Sequence, residues 1–131
     1  MIKNDHMAFQ VTNIDESIEF YTKVLGLELE FKDENLPEKE KYAFLHLDGG
    51  KLEILERIGE KYEKPIIKPP FCPHLALETK NIEETLEMIK IKGLRIIKGP
   101  LEVPREVKWL YISDPDNNII EYIEWISRNK K

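Results

Sequence analysis

The chain contains an approximate copy of its own first half. His6 and His74 stand 68 positions apart, and so do Glu53 and Glu121. At that offset Asn13-Ile14-Asp15-Glu16-Ser17-Ile18 overlays Asn81-Ile82-Glu83-Glu84-Thr85-Leu86. Asp48 likewise overlays Asp116, and Glu53-Ile54-Leu55-Glu56 overlays Glu121-Tyr122-Ile123-Glu124. Between these anchors the register slips, Gly26 matching Gly93 at a spacing of 67. One such match arises by chance. An ordered string of them at one offset marks a duplicated module, and a duplication restricts the fold more than any composition does.

Each half has the same grammar. His6 to Val11 alternates as a strand, with Met7, Phe9 and Val11 on one face. Asn13 or Asp15 then caps a helix carrying Ile18, Tyr21, Val24 and Leu25, closed by Gly26. Strands are expected at 27–31, 42–47 and 52–58, with Asp48-Gly49-Gly50 as a hairpin turn. In the second half a strand at 72–79 precedes a helix at 82–92 with Ile82, Leu86 and Ile89 on one face, ended by Gly93. Strands follow at 94–97, 108–113 and 119–125, with Asp114-Pro115-Asp116-Asn117-Asn118 as the last turn. The expected organisation is a βαβββ module over 1–58, a Pro-rich linker over 59–71 and a second βαβββ module over 72–131. A module of about 60 residues buries too little to stand comfortably alone, so the modules should pair, within one chain or between chains.

Composition narrows the function classes. The chain has 131 residues and a net charge of −5, with 41% hydrophobic and 34% charged residues, a globular balance. Dispersed Lys and Arg within an acidic total argue against a nucleic-acid partner. No apolar run reaches the ~20 residues of a membrane-spanning helix, so no membrane partner is expected. The opening Met-Ile-Lys-Asn-Asp-His lacks the apolar stretch of a signal peptide and points to a cytoplasmic protein. The single Cys72 allows no internal disulfide.

Strand parity turns the repeat into chemistry. If Met7, Phe9 and Val11 face the helix, then His6, Ala8 and Gln10 face the open side of the sheet, and His74, Ala76 and Glu78 do the same in the second module. Glu53 is out of phase with Leu52 and Ile54, as Glu121 is with Ile120 and Tyr122. Singly, a His or Glu near a strand end is a solvated or hydrogen-bonded residue. If a pseudo-twofold axis relates the modules, His6, Glu53, His74 and Glu121 can converge on it. Two neutral imidazoles and two carboxylates suit a divalent first-row metal, with nickel, cobalt, zinc, manganese and iron all admissible.

With these residues in hand, the chain resembles the vicinal oxygen chelate superfamily, which includes glyoxalase I, bleomycin-resistance proteins and extradiol dioxygenases. The resemblance rests on His6, the stretch from Ile18 to Leu27, Leu52-Glu53-Ile54, His74-Leu75-Ala76-Leu77, and Asp114-Pro115-Asp116-Asn117-Asn118-Ile119-Ile120-Glu121. It implies an α+β fold whose two tandem βαβββ modules pair into a curved half-barrel sheet with helices outside. The His/Glu/His/Glu order is similar to that of bacterial glyoxalase I (lactoylglutathione lyase). That implies a homodimeric, metal-dependent lyase or isomerase for a small-molecule substrate, with Glu121 or Glu53 as the proton shuttle. Gln10 and Arg57 stand where that family has the Arg and Asn that grip glutathione, so the resemblance carries the metal chemistry further than the thiol. The alternative within the superfamily is a protein that sequesters an aromatic or antibiotic ligand without catalysis.

Four further features carry plainer expectations. Cys72 reads as a small buried residue and His46 as a solvated turn flank, while Arg57 and Arg105 could grip an anion. The charged run from Lys32 to Lys41 reads as a solvated loop able to close over a site.

Overall fold

A computed structural model describes residues 1–127. The last four residues of the expected second module, 128–131, lie outside the described residues. The chain divides into two compact units, Met1–Pro65 and a second beginning at Ile66.

In the first unit β1 (His6–Gln10) leads into α1 (Ile14–Glu19), and then β2 (Glu28–Asn35), β3 (Glu40–Leu47) and β4 (Gly50–Arg57) follow. They form one four-stranded mixed sheet in the order β1-β4-β3-β2. β1 runs parallel to β4, with the remaining pairs antiparallel. The second unit repeats this with β5 (His74–Glu78), α2 (Ile82–Ile91), β6 (Ile96–Val103), β7 (Val107–Ser113) and β8 (Ile119–Trp125), in the order β5-β8-β7-β6. The two βαβββ modules of the sequence are therefore present. Among the described residues no helix is long and apolar enough to cross a membrane.

Capping explains where the helices start. The Asn13 side chain accepts from the Glu16 amide and Asn81 from the Glu84 amide, each at 3.1 Å. Asn13 is thus the cap, and Asp15 lies in the first turn, bridged to Lys32 at 2.7 Å. After Glu19 the first helix widens into a π-helical segment, Phe20–Val24, where the Leu25 amide reaches the Phe20 carbonyl at 3.1 Å. Gly26 (φ 79°) and Gly93 (φ 68°) supply the left-handed residue that ends each helix.

The buried helix faces differ from the expected ones. Ile14, Ser17 and Tyr21 face inward in the first module, with Ile18, Val24 and Leu25 half-buried. In the second, Thr85 takes the inward place beside Ile82 and Ile89, and Leu86 is half-buried. The first face packs against β3 and β4, where Ala43, Leu45, Leu52 and Ile54 are buried, and the second against β8 and β6, with Ile120 buried on β8.

The expected loop from Lys32 to Lys41 is a hairpin. Its residues are paired as Lys32↔Ala43, Asp33↔Tyr42 and Glu34↔Lys41, with a tight turn between Asn35 and Glu40. β2 is an edge strand exposed along its whole length, so its charges are solvated on both faces while its backbone is satisfied by β3. The charge pattern reported solvation correctly and hid the strand.

Candidate functional site

The parallel pairing of β1 with β4 builds half of the candidate site. It sets Ala8 opposite Glu53 and His6 opposite Lys51, so His6 and Glu53 share the face turned away from α1. His6 Nε2 lies 3.4 Å from Glu53 Oε1. The β5–β8 pair repeats the arrangement, setting Ala76 opposite Glu121, with His74 Nε2 3.5 Å from Glu121 Oε1. The structure brings His6 to Glu53 and His74 to Glu121 as two matching pairs. Among the described residues it gathers no cluster of three or more metal-ligating side chains.

The pairs have the chemistry of metal ligands. His6 Nδ1 is held by Asp5 Oδ2 at 2.6 Å, and His74 Nδ1 by the Phe71 carbonyl at 2.8 Å. Both partners only accept, so in the neutral ring Nδ1 carries the proton and the Nε2 lone pair is left facing the glutamate. Two ligands each about 2.1 Å from one ion stand about 3.4 Å apart at a tetrahedral angle. The glutamate side chains are shielded, at 15% exposure for Glu53 and 12% for Glu121. Burial pushes the Glu53 carboxyl above its usual range, opposed by His6 and helped by Glu40. Donor types, tautomers and separations all fit half of a divalent-metal site in each module.

Aromatic rings wall both pairs. His6 meets Phe44 edge-to-face at 5.1 Å, and Phe44 stacks on Phe31 at 5.2 Å with Tyr42 beside them. His74 meets Tyr111 edge-to-face at 5.6 Å, and Tyr111 packs on Phe71 at 5.0 Å. Phe71 holds a left-handed backbone (φ 63°), a costly state for a bulky residue that places its carbonyl on His74.

The other singled-out residues fall elsewhere. Arg57 is bound by Glu60 at 2.5 Å, by Glu40 at 3.3 Å and by the Glu38 carbonyl, so its charge is already matched. Arg105 sits in the β6–β7 turn. His46 is exposed on β3, 4.0 Å from Glu30. Cys72 is exposed rather than buried, because β5 starts only at His74 and leaves the thiol outside the sheet.

Sequence reasoning missed Asp5, the Phe71 carbonyl and Tyr111. Asp5 was visible only as an acidic neighbour of His6, and the Phe71 contact is a backbone one with no side-chain signal. Tyr111 could have been found by asking what lies opposite Glu121 in a β7–β8 hairpin.

A βαβββ repeat bearing one His–Glu pair per module, at matching strand positions, defines a narrow class of folds. Residues 3–122 match the model of the Glyoxalase/Bleomycin resistance protein/Dioxygenase superfamily, and the chain belongs to that superfamily. It is 32% identical over 125 residues to a protein of Vibrio cholerae named as a probable lactoylglutathione lyase, spanning 91% of this chain and 88% of that one. It is 31% identical over 126 residues to the lactoylglutathione lyase of Haemophilus influenzae, spanning 91% and 90%. A glyoxalase I mutant from Zea mays superposes with a TM-score of 0.75 at 24% identity, over 95% of this chain and 48% of that one. TnmS3, an antibiotic-binding protein from Streptomyces, superposes at 0.73 with 16% identity over 95% and 97%, a likeness of fold alone.

Proposed function

We propose that His6, Glu53, His74 and Glu121 together hold one divalent first-row metal and that the chain is a glyoxalase-I-like lyase or isomerase. The observation that carries the reading is the doubled pair: the same two donor types, the same strand positions and nearly the same separation, 3.4 and 3.5 Å. Two donors hold a divalent ion poorly against water, so both pairs must serve one ion. A homodimer can supply them as readily as a single chain. Nickel, cobalt, zinc, manganese and iron all suit two imidazoles and two carboxylates.

When bound, the metal polarises the carbonyl of a chelated substrate and acidifies the adjacent C–H bond. Glu53 or Glu121 takes that proton as a carboxylate while the C–H electron pair moves toward the carbonyl oxygen. The same carboxyl then returns the proton to the neighbouring carbon, so the reaction is an isomerisation that consumes no oxidant. His6 and His74, each oriented through Nδ1, present Nε2 without competing for that proton. Phe44 and Tyr111 flank the two histidines edge-to-face. Arg57 is already paired with Glu40 and Glu60, and Gln10 is uncharged, which supports a thiol partner other than glutathione.

Nickel and cobalt titrations of chelator-stripped protein test the reading, followed by turnover of methylglyoxal hemithioacetals formed with several thiols. One ion per quartet is expected, with binding lost in both Glu53→Ala and Glu121→Ala. A protein that binds no divalent ion is instead a sequestering protein, a reading favoured by the Phe31, Tyr42 and Phe44 rings beside His6.

A further inference from the structure

The edge strands β2 and β6 occupy equivalent places in the two sheets and are anchored by different forces. β6 keeps Ile96, Ile97 and Leu101 half-buried, and among the described residues no side-chain ion pair or hydrogen bond reaches it. β2 is exposed at every position, including Leu29 and Phe31, its only apolar residues. Phe31 pairs with Phe44 as Lys98 pairs with Tyr111, an offset of 67 that sets Glu30 against Ile97 and Glu34 against Leu101. Charged side chains thus stand in β2 where its copy has apolar ones.

Three charged ties hold β2 and its turn to the rest of the module. On the helix side Lys32 reaches Asp15 of α1 at 2.7 Å. On the open side Glu30 takes Lys51 of β4 at 2.9 Å. At the tip Arg57 of β4 donates to the Glu38 carbonyl at 3.1 Å and to Glu40 at 3.3 Å, with Glu60 on its Nε at 2.5 Å. Lys32, Lys51 and Arg57 are each more than a third exposed, so these ties are weak singly and weaken further in salt. Apolar side chains carry no charge to screen, so the anchoring of β6 has no such dependence.

Phe31 connects this strand to the candidate site. Its ring stacks on Phe44 at 5.2 Å, and Phe44 meets His6 at 5.1 Å. We propose that β2 is a gate latched by charge: when its ties release, the strand parts from β3 and draws Phe31 off the ring stack beside His6. β6, latched by apolar contact, stays in place, so only the first module's aromatic wall opens. The gate needs no metal and works whichever ligand the His6–Glu53 pair takes.

Amide hydrogen exchange of the whole protein tests the latch, compared in about 0.01 M and about 1 M sodium chloride, where the screening length falls from roughly 30 Å to 3 Å. Amides of β2 are expected to exchange about fivefold faster at the higher salt, with β6 unchanged as the internal control. The ring-proton resonances of Phe44 are expected to move over the same salt range as Phe31 leaves the stack. Lys32→Gln/Arg57→Gln is expected to exchange fast already at low salt and to lose most of the salt response. The wild-type comparison of β2 with β6 needs no substitution, so it decides the matter even where the variant fails to fold. Equal salt responses in β2 and β6, or a response undiminished in the folded variant, overturns the latch. Phe44 resonances that ignore salt while β2 opens overturn the gate.

Discussion

Asp5 does for His6 what a backbone carbonyl does for His74, and the difference in chemistry is open to test. The Asp5 carboxylate lies 2.6 Å from Nδ1, and that hydrogen bond holds its carboxyl below the usual range. Asp5→Asn can still accept through its amide oxygen but loses the charge that favours the Nδ1–H tautomer. Metal affinity is expected to fall by about tenfold, the low end for such a partner because Asp5 is exposed. Nitrogen-15 shifts of the neutral His6 ring are expected to show a mixture of tautomers in place of one, and an unmixed spectrum would refute the orienting role. At Asp114 the role is structural: its carboxylate accepts from the Asp116 and Asn118 amides, both at 2.8 Å, and from the Asn118 side chain at 2.9 Å. This buried turn sets where β8 begins and so where Glu121 falls. Asp114→Ala is expected to cost about 2–4 kcal/mol in denaturant unfolding, since charged hydrogen bonds contribute about 1.5–3 kcal/mol each. At this scale His6, His74, Glu53 and Glu121 were legible because strand parity alone places them on the open face. Asp5 and Phe71 were not, because a hydrogen bond to Nδ1 depends on side-chain rotamer and loop path.

The repeat also governs how elements are joined. Glu56 accepts from the Ile14 amide at 2.8 Å, and Glu124, its equivalent at an offset of 68, accepts from the Ile82 amide at 2.9 Å. Each carboxylate reaches from the last strand of its module to an otherwise unpaired amide at a helix N-terminus, where negative charge is favoured. Glu56→Ala and Glu124→Ala are each expected to destabilise the protein by about 1–2 kcal/mol by chemical denaturation, with metal affinity retained. A second pair of equivalents has diverged. Thr85 bonds the Thr79 hydroxyl at 2.7 Å, whereas Val11 stands at the sequence position matching Thr79 and the buried Ser17 hydroxyl has no partner. Ser17→Ala is expected to raise stability by about 1 kcal/mol, and Thr85→Ala to lower it by a similar amount. The helices were legible through their caps and closing glycines. The strands at 27–31 and 42–47 were legible too, but their extension through Lys32–Lys41 was not, since that charged, solvated stretch has no apolar period to read.

At the level of the whole molecule, the proposed metal would draw ligands from both modules and so couple to their stability. A ligand at about 100 times its dissociation constant stabilises the native state by about 2.7 kcal/mol. For a chain of this size that amounts to a rise of roughly 10 °C in melting temperature. Saturating nickel or cobalt is expected to produce that rise in the wild type, and chelator to reverse it. Neither Glu53→Ala nor Glu121→Ala should show it, and a rise surviving in either variant would exclude that residue as a ligand. The sequence by itself determined the duplication, the helix starts and stops, and the open-face placement of the four candidate ligands. These are periodicities and caps that operate within a few residues of each other. Tertiary structure alone decided the strand order β1-β4-β3-β2 and its copy, the closeness of His6 to Glu53 and of His74 to Glu121, and the edge-to-face contacts of Phe44 with His6 and of Tyr111 with His74. Those features arise where segments distant in the chain pair in one register, and no local pattern specifies which distant segment a strand will meet.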